Sequence, residues 1–171
     1  LDIARAYSTL ANFGVKKDLT SVLAIVAEDG RPLAKFTAKE EKSLPPEETA
    51  NIVQMMTTVF ESGTAHAARA AGFQWPAAGK TGTTNEFRDA WFIGYSATLV
   101  AGVWLGNDDG TPTKHLSGAT MPVDIWHKFM LAALKNDKPQ PLPGLNEGSG
   151  WALDIPALLG FGSRSDAPSA A

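Results

Sequence analysis

The sequence contains no cysteine, no apolar run long enough to cross a membrane and no excess of basic charge. The missing cysteines exclude disulfide bonds and thiolate metal sites but do not identify a cellular compartment. No apolar stretch approaches the roughly 18 residues that a membrane-spanning helix needs, and residues 1–20 lack the pattern of a signal peptide. A net charge of -3 provides no basic field for nucleic acid, so we expect no nucleic-acid partner.

Three stretches have the apolar spacing of helices. Residues 1–13 form the first, and Gly14 follows as a stop signal. The second is expected to begin at 45–48, where prolines and glutamates suit a helix start, and to end at Gly63. Its apolar face, methionines included, is expected to pack in the core: Ile52, Val53, Met55, Met56, Val59 and Phe60. The third covers about 122–134 and is expected to lie on one side of a sheet.

Strand patterns account for much of the remaining sequence. Residues 21–27 and 32–36 flank Asp29-Gly30, a strong turn signal, and together they predict a hairpin. Three further strands are expected at 77–84, 89–96 and 98–106. The last two are apolar almost throughout, so helices are expected to sandwich their sheet.

The composition changes towards the C-terminal end. We assign residues 1–135 to a folded domain and 136–171 to a tail rich in proline and glycine. This tail has little to bury, which predicts a mostly disordered segment. The stretch from Trp151 to Leu159 is a short apolar patch inside it, which we expect to dock on the domain or to await a partner.

The residues with the clearest chemical meaning form one run, Lys80-Thr81-Gly82-Thr83-Thr84, in a predicted strand. Alternation along a strand places Lys80 and Gly82 on one face and Thr81 and Thr83 on the other. Gly82 lets another backbone approach, so an extended peptide can pair with this strand if it lies at a sheet edge. Lys80 provides positive potential, and the hydroxyls of Thr81 and Thr83 can hydrogen-bond a carboxylate. Such a strand can form one wall of a site for acyl groups that carry a carboxylate.

The longer run from Ala78 to Tyr95 closely resembles the end of the transpeptidase domain in bifunctional, class A penicillin-binding proteins. In that family K-T-G-T-T is followed by an R-D-A-W-F-x-G-Y strand, and the resemblance covers roughly residues 1–134. It implies an α/β (α+β) fold like that of penicillin-binding proteins and serine β-lactamases. This fold is an antiparallel sheet sandwiched by helices, here incomplete at the N-terminus. No metal and no organic cofactor is implied.

The resemblance also assigns roles to the residues of the run. Lys80 and Thr83 are the expected catalytic residues, because the backbone N–H at the Thr83 position supplies half of the oxyanion hole in similar enzymes. Thr81 and Thr83 are expected to hold the carboxylate of a substrate or β-lactam. Gly82 and Thr84 complete the expected substrate-binding set.

Two other signatures of the family are absent. No serine has a lysine three residues later, and none has an asparagine two residues later. The acylated serine is therefore expected upstream, with an anchor at the periplasmic face of the bacterial inner membrane, and this fragment alone is expected to be inactive. The implied reaction is acyl transfer from D-Ala-D-Ala stem peptides during peptidoglycan synthesis. The implied partners are these peptides, β-lactam antibiotics and the upstream remainder of the protein.

Two alternative functions remain open at this point. One is a D,D-carboxypeptidase or β-lactamase-like hydrolase, in which water replaces the acceptor amine, and the other is a non-catalytic module that binds peptidoglycan or a partner protein. The T-T extension after Lys80-Thr81-Gly82 and the D-A-W-F-x-G-Y strand resemble the bifunctional penicillin-binding proteins more than the β-lactamases.

Other polar residues carry weaker signals. Asn107-Asp108-Asp109 is interpreted as a turn and not as a metal site, and no histidine is assigned a catalytic role. Gly63-Thr64-Ala65 stands where the family often has Gly-Thr-Gly, and its alanine departs from that pattern.

Overall fold

The computed structural model describes residues 1–145, and its elements follow the predicted order. The predicted apolar patch from Trp151 to Leu159 lies outside the described residues. In the described part of the chain, no helix has both the length and the apolar character that a bilayer crossing requires. The elements are α1 Asp2–Ala11, β1 Val15–Lys17, β2 Ala24–Val26, β3 Pro32–Lys35, β4 Glu40–Lys42, α2 Pro46–Glu61, α3 His66–Ala70, β5 Ala78–Thr83, a short 3-10 turn Asn85–Phe87, β6 Asp89–Tyr95, β7 Val100–Gly106 and α4 Met121–Leu134.

A three-stranded sheet in the order β5-β6-β7 lies at the centre of the described residues. Both strand pairs are antiparallel, and their registers place Thr81 opposite Phe92 and Phe92 opposite Val103. The predicted antiparallel sheet is therefore confirmed. Among residues 1–145, β5 and β7 each pair with a strand on one side only, so both outer edges of the sheet lack a neighbouring strand.

Aromatic side chains pack one face of this sheet against α4. Trp126 is fully buried, and its Nε1 donates to the carbonyl of Gly94 at 3.1 Å. A β-carbon on Gly94 would lie 2.8 Å from the Trp126 ring, so this close approach requires glycine. Phe60, Phe73 and Phe92 surround the indole at ring-centroid distances of 5.1 to 5.2 Å. Packing of this kind fixes α4 on the sheet.

Helix α1 packs against the opposite face. Because side chains alternate along β6, Tyr95 points away from the face that carries Gly94. Tyr95 is fully buried in a second cluster with Ala11 of α1, Val53 of α2 and Ala78 of β5. Helices therefore lie on both faces of the sheet, as its apolar strands predict.

The segment after α4 differs from the sequence prediction at one residue. Leu142 is only 2% exposed and joins the same cluster as Tyr95 and Val53. The expectation that the chain has little to bury after residue 135 is therefore wrong for this leucine. The division between a domain and a tail otherwise stays a prediction.

The apolar stripe of α2 is only partly covered. Val53 and Phe60 are buried, whereas Ile52 is 37% exposed and Met55 is 44% exposed. The prediction that the whole stripe packs in the core is wrong for these last two residues. Spacing identifies one face of a helix, but it does not show how far the neighbouring elements extend over that face.

The predicted hairpin is present and stands apart from the central sheet. Strands β2 and β3 pair antiparallel, and the chain reverses at Asp29-Gly30, where Gly30 has a φ of 81°. In a second two-stranded sheet, the strand before this hairpin, β1, pairs antiparallel with the strand after it, β4. These two small sheets connect α1 to α2.

Candidate active site

Strand β5 holds most of the predicted site residues at an outer edge of the sheet. Just beyond the strand, the N–H of Thr84 donates to the carbonyl of Asp89 at 3.0 Å. In an antiparallel ladder, residues bonded to the partner strand alternate with residues whose N–H and C=O groups point away from it. Gly79, Thr81 and Thr83 therefore direct their backbone groups away from β6, towards the edge that lacks a neighbouring strand.

The face of β5 that carries Lys80 and Gly82 borders a small cavity. A β-carbon on Gly82 would meet only the β-carbon of Trp91, at 3.4 Å, so the strand backbone is open on this side. Burial raises the pKa of the Tyr7 hydroxyl above that of an ordinary tyrosine. The cavity has a volume of about 180 Å³ and is lined by Ile3, Tyr7, Lys80, Thr81, Gly82, Trp91 and Ile93.

The Lys80 ammonium reaches the open edge of β5. Its Nζ donates to the carbonyl of Thr81 at 2.9 Å. This carbonyl is one of the backbone groups that point away from β6. Lys80 is exposed, and within residues 1–145 no salt bridge joins it to a carboxylate. Its charge is therefore available to an anionic group that lies along this edge.

Thr81 and Thr83 lie on the face opposite Lys80, as the strand alternation predicts, and both hydroxyls have partners outside β5. The Oγ1 atoms of Thr81 and Thr64 are 2.8 Å apart. The N–H of Gly118 donates to Thr83 Oγ1 at 2.9 Å. Because Thr83 accepts this bond, its hydroxyl proton remains free to donate to a ligand.

Thr84 closes the turn after β5. The N–H of Asp89 donates to Thr84 Oγ1 at 2.7 Å, and the indole N–H of Trp104 donates to Asp89 Oδ1 at 2.9 Å. Asp89 therefore links this turn to Trp104 of β7. A role of Thr84 in substrate binding stays a prediction.

Sequence reasoning did not connect Thr64 or Gly118 with the site. The contact between Thr64 and Thr81 spans 17 residues, and the one between Gly118 and Thr83 spans 35. Only the unusual Gly63-Thr64-Ala65 run drew attention to the first of them. Nothing in the local sequence marked Gly118, where a β-carbon would lie 2.5 Å from the carbonyl oxygen of Gly82.

The other polar candidates are separate from this site. Asn107–Asp109 forms the predicted turn, in which the N–H and hydroxyl of Thr111 donate to Asp109 Oδ1. These bonds, the backbone one first, lower the pKa of the exposed Asp109 carboxyl. His66, His115 and His127 lie on three different segments, and within residues 1–145 no group of three acidic or histidine side chains could hold a metal ion.

Comparison with known proteins assigns the family. The penicillin binding protein transpeptidase domain family matches residues 1–111. The chain belongs to this family. The resemblance deduced from the run between Ala78 and Tyr95 is therefore confirmed.

The family relatives are much longer than this chain. Penicillin-binding protein 1A of Aquifex aeolicus is 39% identical over 131 residues, which cover 76% of this chain and 18% of that protein. Penicillin-binding protein 1B of Escherichia coli is 33% identical over 145 residues, covering 83% of this chain and 16% of that protein. The chain thus spans less than a fifth of the length of these two relatives.

A solved structure shows the same fold. The crystal structure of penicillin-binding protein 1A from Haemophilus influenzae matches with a TM-score of 0.70 at 22% sequence identity. The match covers 83% of this chain and 28% of that one. The predicted fold class, an antiparallel sheet between helices like that of penicillin-binding proteins, is confirmed.

Proposed function

We propose that this chain forms the substrate-binding wall of a peptidoglycan D,D-transpeptidase. The observation that carries the proposal is the edge position of β5, where the N–H groups of Thr81 and Thr83 point outward beside the Lys80 ammonium. An extended peptide can add to such an edge through main-chain hydrogen bonds. Membership of the transpeptidase family supports the same conclusion.

In the proposed reaction, a serine upstream of this chain attacks the carbonyl between the two D-alanines of a stem peptide. The new oxygen–carbon bond gives a tetrahedral oxyanion, which accepts hydrogen bonds from the serine N–H and the outward N–H of Thr83. The carbon–nitrogen bond then breaks, and terminal D-alanine leaves with a proton on its amine. An amine of a neighbouring strand then attacks the acyl carbon. The new carbon–nitrogen bond forms the cross-link, the bond to the serine oxygen breaks, and the proton that the amine loses passes to the serine oxygen.

The other residues of β5 bind the peptide in this scheme. Gly82 lets the peptide backbone lie close to the strand, since no side chain occupies the cavity at that position. The hydroxyls of Thr81 and Thr83 receive the terminal carboxylate, and Lys80 contributes the positive charge that both the carboxylate and the oxyanion require. Losing one oxyanion donor costs about 2.7–4 kcal/mol of transition-state stabilisation.

The wider context belongs to the same proposal. We propose that the whole protein is a bifunctional glycosyltransferase and transpeptidase, held by an upstream anchor at the periplasmic face of the inner membrane. β-Lactams would acylate the same serine. Nothing in residues 1–145 favours a hydrolase or a non-catalytic binding module over the transpeptidase.

Labelling the whole protein with fluorescent penicillin tests this proposal. Lys80→Ala is expected to slow acylation by at least about tenfold with the fold retained, because the charge beside the reacting carbonyl is lost. Lys128→Ala is the matched control, since Lys128 is an exposed lysine on α4 that pairs with Asp124 at 2.8 Å. Acylation of the Lys80 variant at the rate of the control would contradict the proposal, as would a wild-type protein that takes up no label.

A further inference from the structure

The turn between α2 and α3 brings an additional hydroxyl to the site. Thr64 is exposed, and its Oγ1 lies 2.8 Å from Thr81 Oγ1, within hydrogen-bond distance. Neither the family resemblance nor the strand pattern gives this residue a role. The two hydroxyls form a pair beside the edge of β5 where the peptide is proposed to bind.

The turn holds Thr64 in a fixed position. The N–H groups of Ser62 and Gly63 both donate to the carbonyl of Thr58, at 3.0 and 2.9 Å. On the other side, Ala65 is fully buried, and its N–H donates to the carbonyl of Val59 at 2.9 Å. A β-carbon on Gly63 would lie 2.7 Å from Val59 Cα, so the turn packs directly on the helix that it leaves. Thr64 is therefore anchored through the residues on both sides of it.

Hydroxyl chemistry explains what this contact can do. A threonine hydroxyl has one proton to donate and can accept through its oxygen. If Thr64 donates to Thr81, the Thr81 proton is left to point at a ligand, and the chain of two hydrogen bonds strengthens the outer one. The carbonyl of the same Thr81 is already held by Lys80 Nζ at 2.9 Å, so both polar ends of this residue are fixed by neighbours.

We propose that Thr64 is a positioning residue for the substrate carboxylate and acts by holding the Thr81 hydroxyl as a donor. The inference rests on the proposed transpeptidase function. It concerns the recognition of the carboxylate and not the chemistry at the carbonyl. Removing the Thr64 hydroxyl should therefore weaken binding of ligands that carry a free carboxylate and leave esters of the same ligands unaffected.

The experiment compares benzylpenicillin with its methyl ester as acylating agents of the whole protein. Thr64→Val is expected to lower the acylation efficiency of the free acid about tenfold, mainly by weakening the complex that precedes acylation, with little effect on the ester. Thr64→Ser keeps the hydroxyl and should restore the acid to within about twofold of wild type. Thr57→Val, which removes a hydroxyl on the same helix that donates to the carbonyl of Gln54, is the matched control and should behave as wild type.

The outcomes separate the inference from the proposed function. Equal losses with acid and ester, or no loss with either, would overturn the role of Thr64 while leaving the transpeptidase proposal intact. Failure of the wild-type protein to react with either compound would overturn both. If Thr64→Val loses its cooperative melting transition, the same comparison with Thr64→Ala decides the question, because alanine at this exposed position requires no additional space.

Discussion

Replacing Gly82 with alanine should make the protein more stable and less active at the same time. The backbone of Gly82 has no positive φ, and an added β-carbon would meet only the Trp91 β-carbon at an ordinary contact distance of 3.4 Å. Alanine is favoured over glycine inside a strand by about 0.5–1 kcal/mol. The free energy of unfolding is therefore expected to rise by about that amount.

The same methyl group would project into the cavity beside Lys80, which borders the edge of β5 along which the substrate backbone is proposed to lie. Forcing an extra methyl into a close contact typically costs about 1–3 kcal/mol. If that cost is present only when substrate is bound, kcat/KM for acylation falls roughly 5- to 150-fold. Fluorescent penicillin measures the acylation rate, and thermal melting of the same samples measures stability.

Gly79→Ala is the matched control on the same strand. Its β-carbon would lie 2.8 Å from the carbonyl oxygen of Ile93 and 3.1 Å from Gly94 Cα, and these backbone atoms cannot easily move. This variant is expected to lose about 1–3 kcal/mol of stability. A Gly82→Ala protein that is folded and acylates at the wild-type rate would refute the idea that substrate lies against this strand.

Three further expectations follow from the packing and from the missing motif. Trp126→Ala should lower the free energy of unfolding by about 3–5 kcal/mol in denaturant titrations, since the fully buried indole is central to the aromatic cluster; a loss below about 1 kcal/mol would contradict this. Truncation of the whole protein after Leu134 should give a lower melting temperature than truncation after Leu145, because only the first removes the buried Leu142; equal melting temperatures of the two variants would show that Leu142 contributes nothing. The 171-residue chain alone should form no covalent adduct with labelled penicillin by mass spectrometry, and a stably labelled serine within it would show that the nucleophile is not upstream.

The central sheet could be predicted because its signals are local. The apolar runs that form β6 and β7 each lie within about ten consecutive residues. They predict strands whose ends are within two residues of the observed ones. The placement of the Lys80 and Thr81 side chains on opposite faces of the strand likewise follows from alternation alone. Such features depend only on the backbone geometry of a strand.

The remaining parts of the site depend on contacts between distant segments. Thr64 reaches Thr81 only because α2 packs along β5, and a one-dimensional pattern does not contain that geometry. The burial of Leu142 has the same origin, since a single leucine in a proline-rich segment carries no periodic signal. Met55 shows the opposite error, because its helical spacing is right and yet no neighbouring element in residues 1–145 covers it fully.

The outer edge of β7 has a practical consequence for handling this chain. Alternate residues of β7, Val100–Gly106, present unpaired backbone donors and acceptors on that side among the described residues, and Trp104 adds an indole that is 41% exposed. A long apolar edge of this kind is a template on which further chains can add. Concentrated solutions of the isolated chain should therefore self-associate through β7, and a lysine in place of Trp104 is the simplest way to keep such samples monomeric.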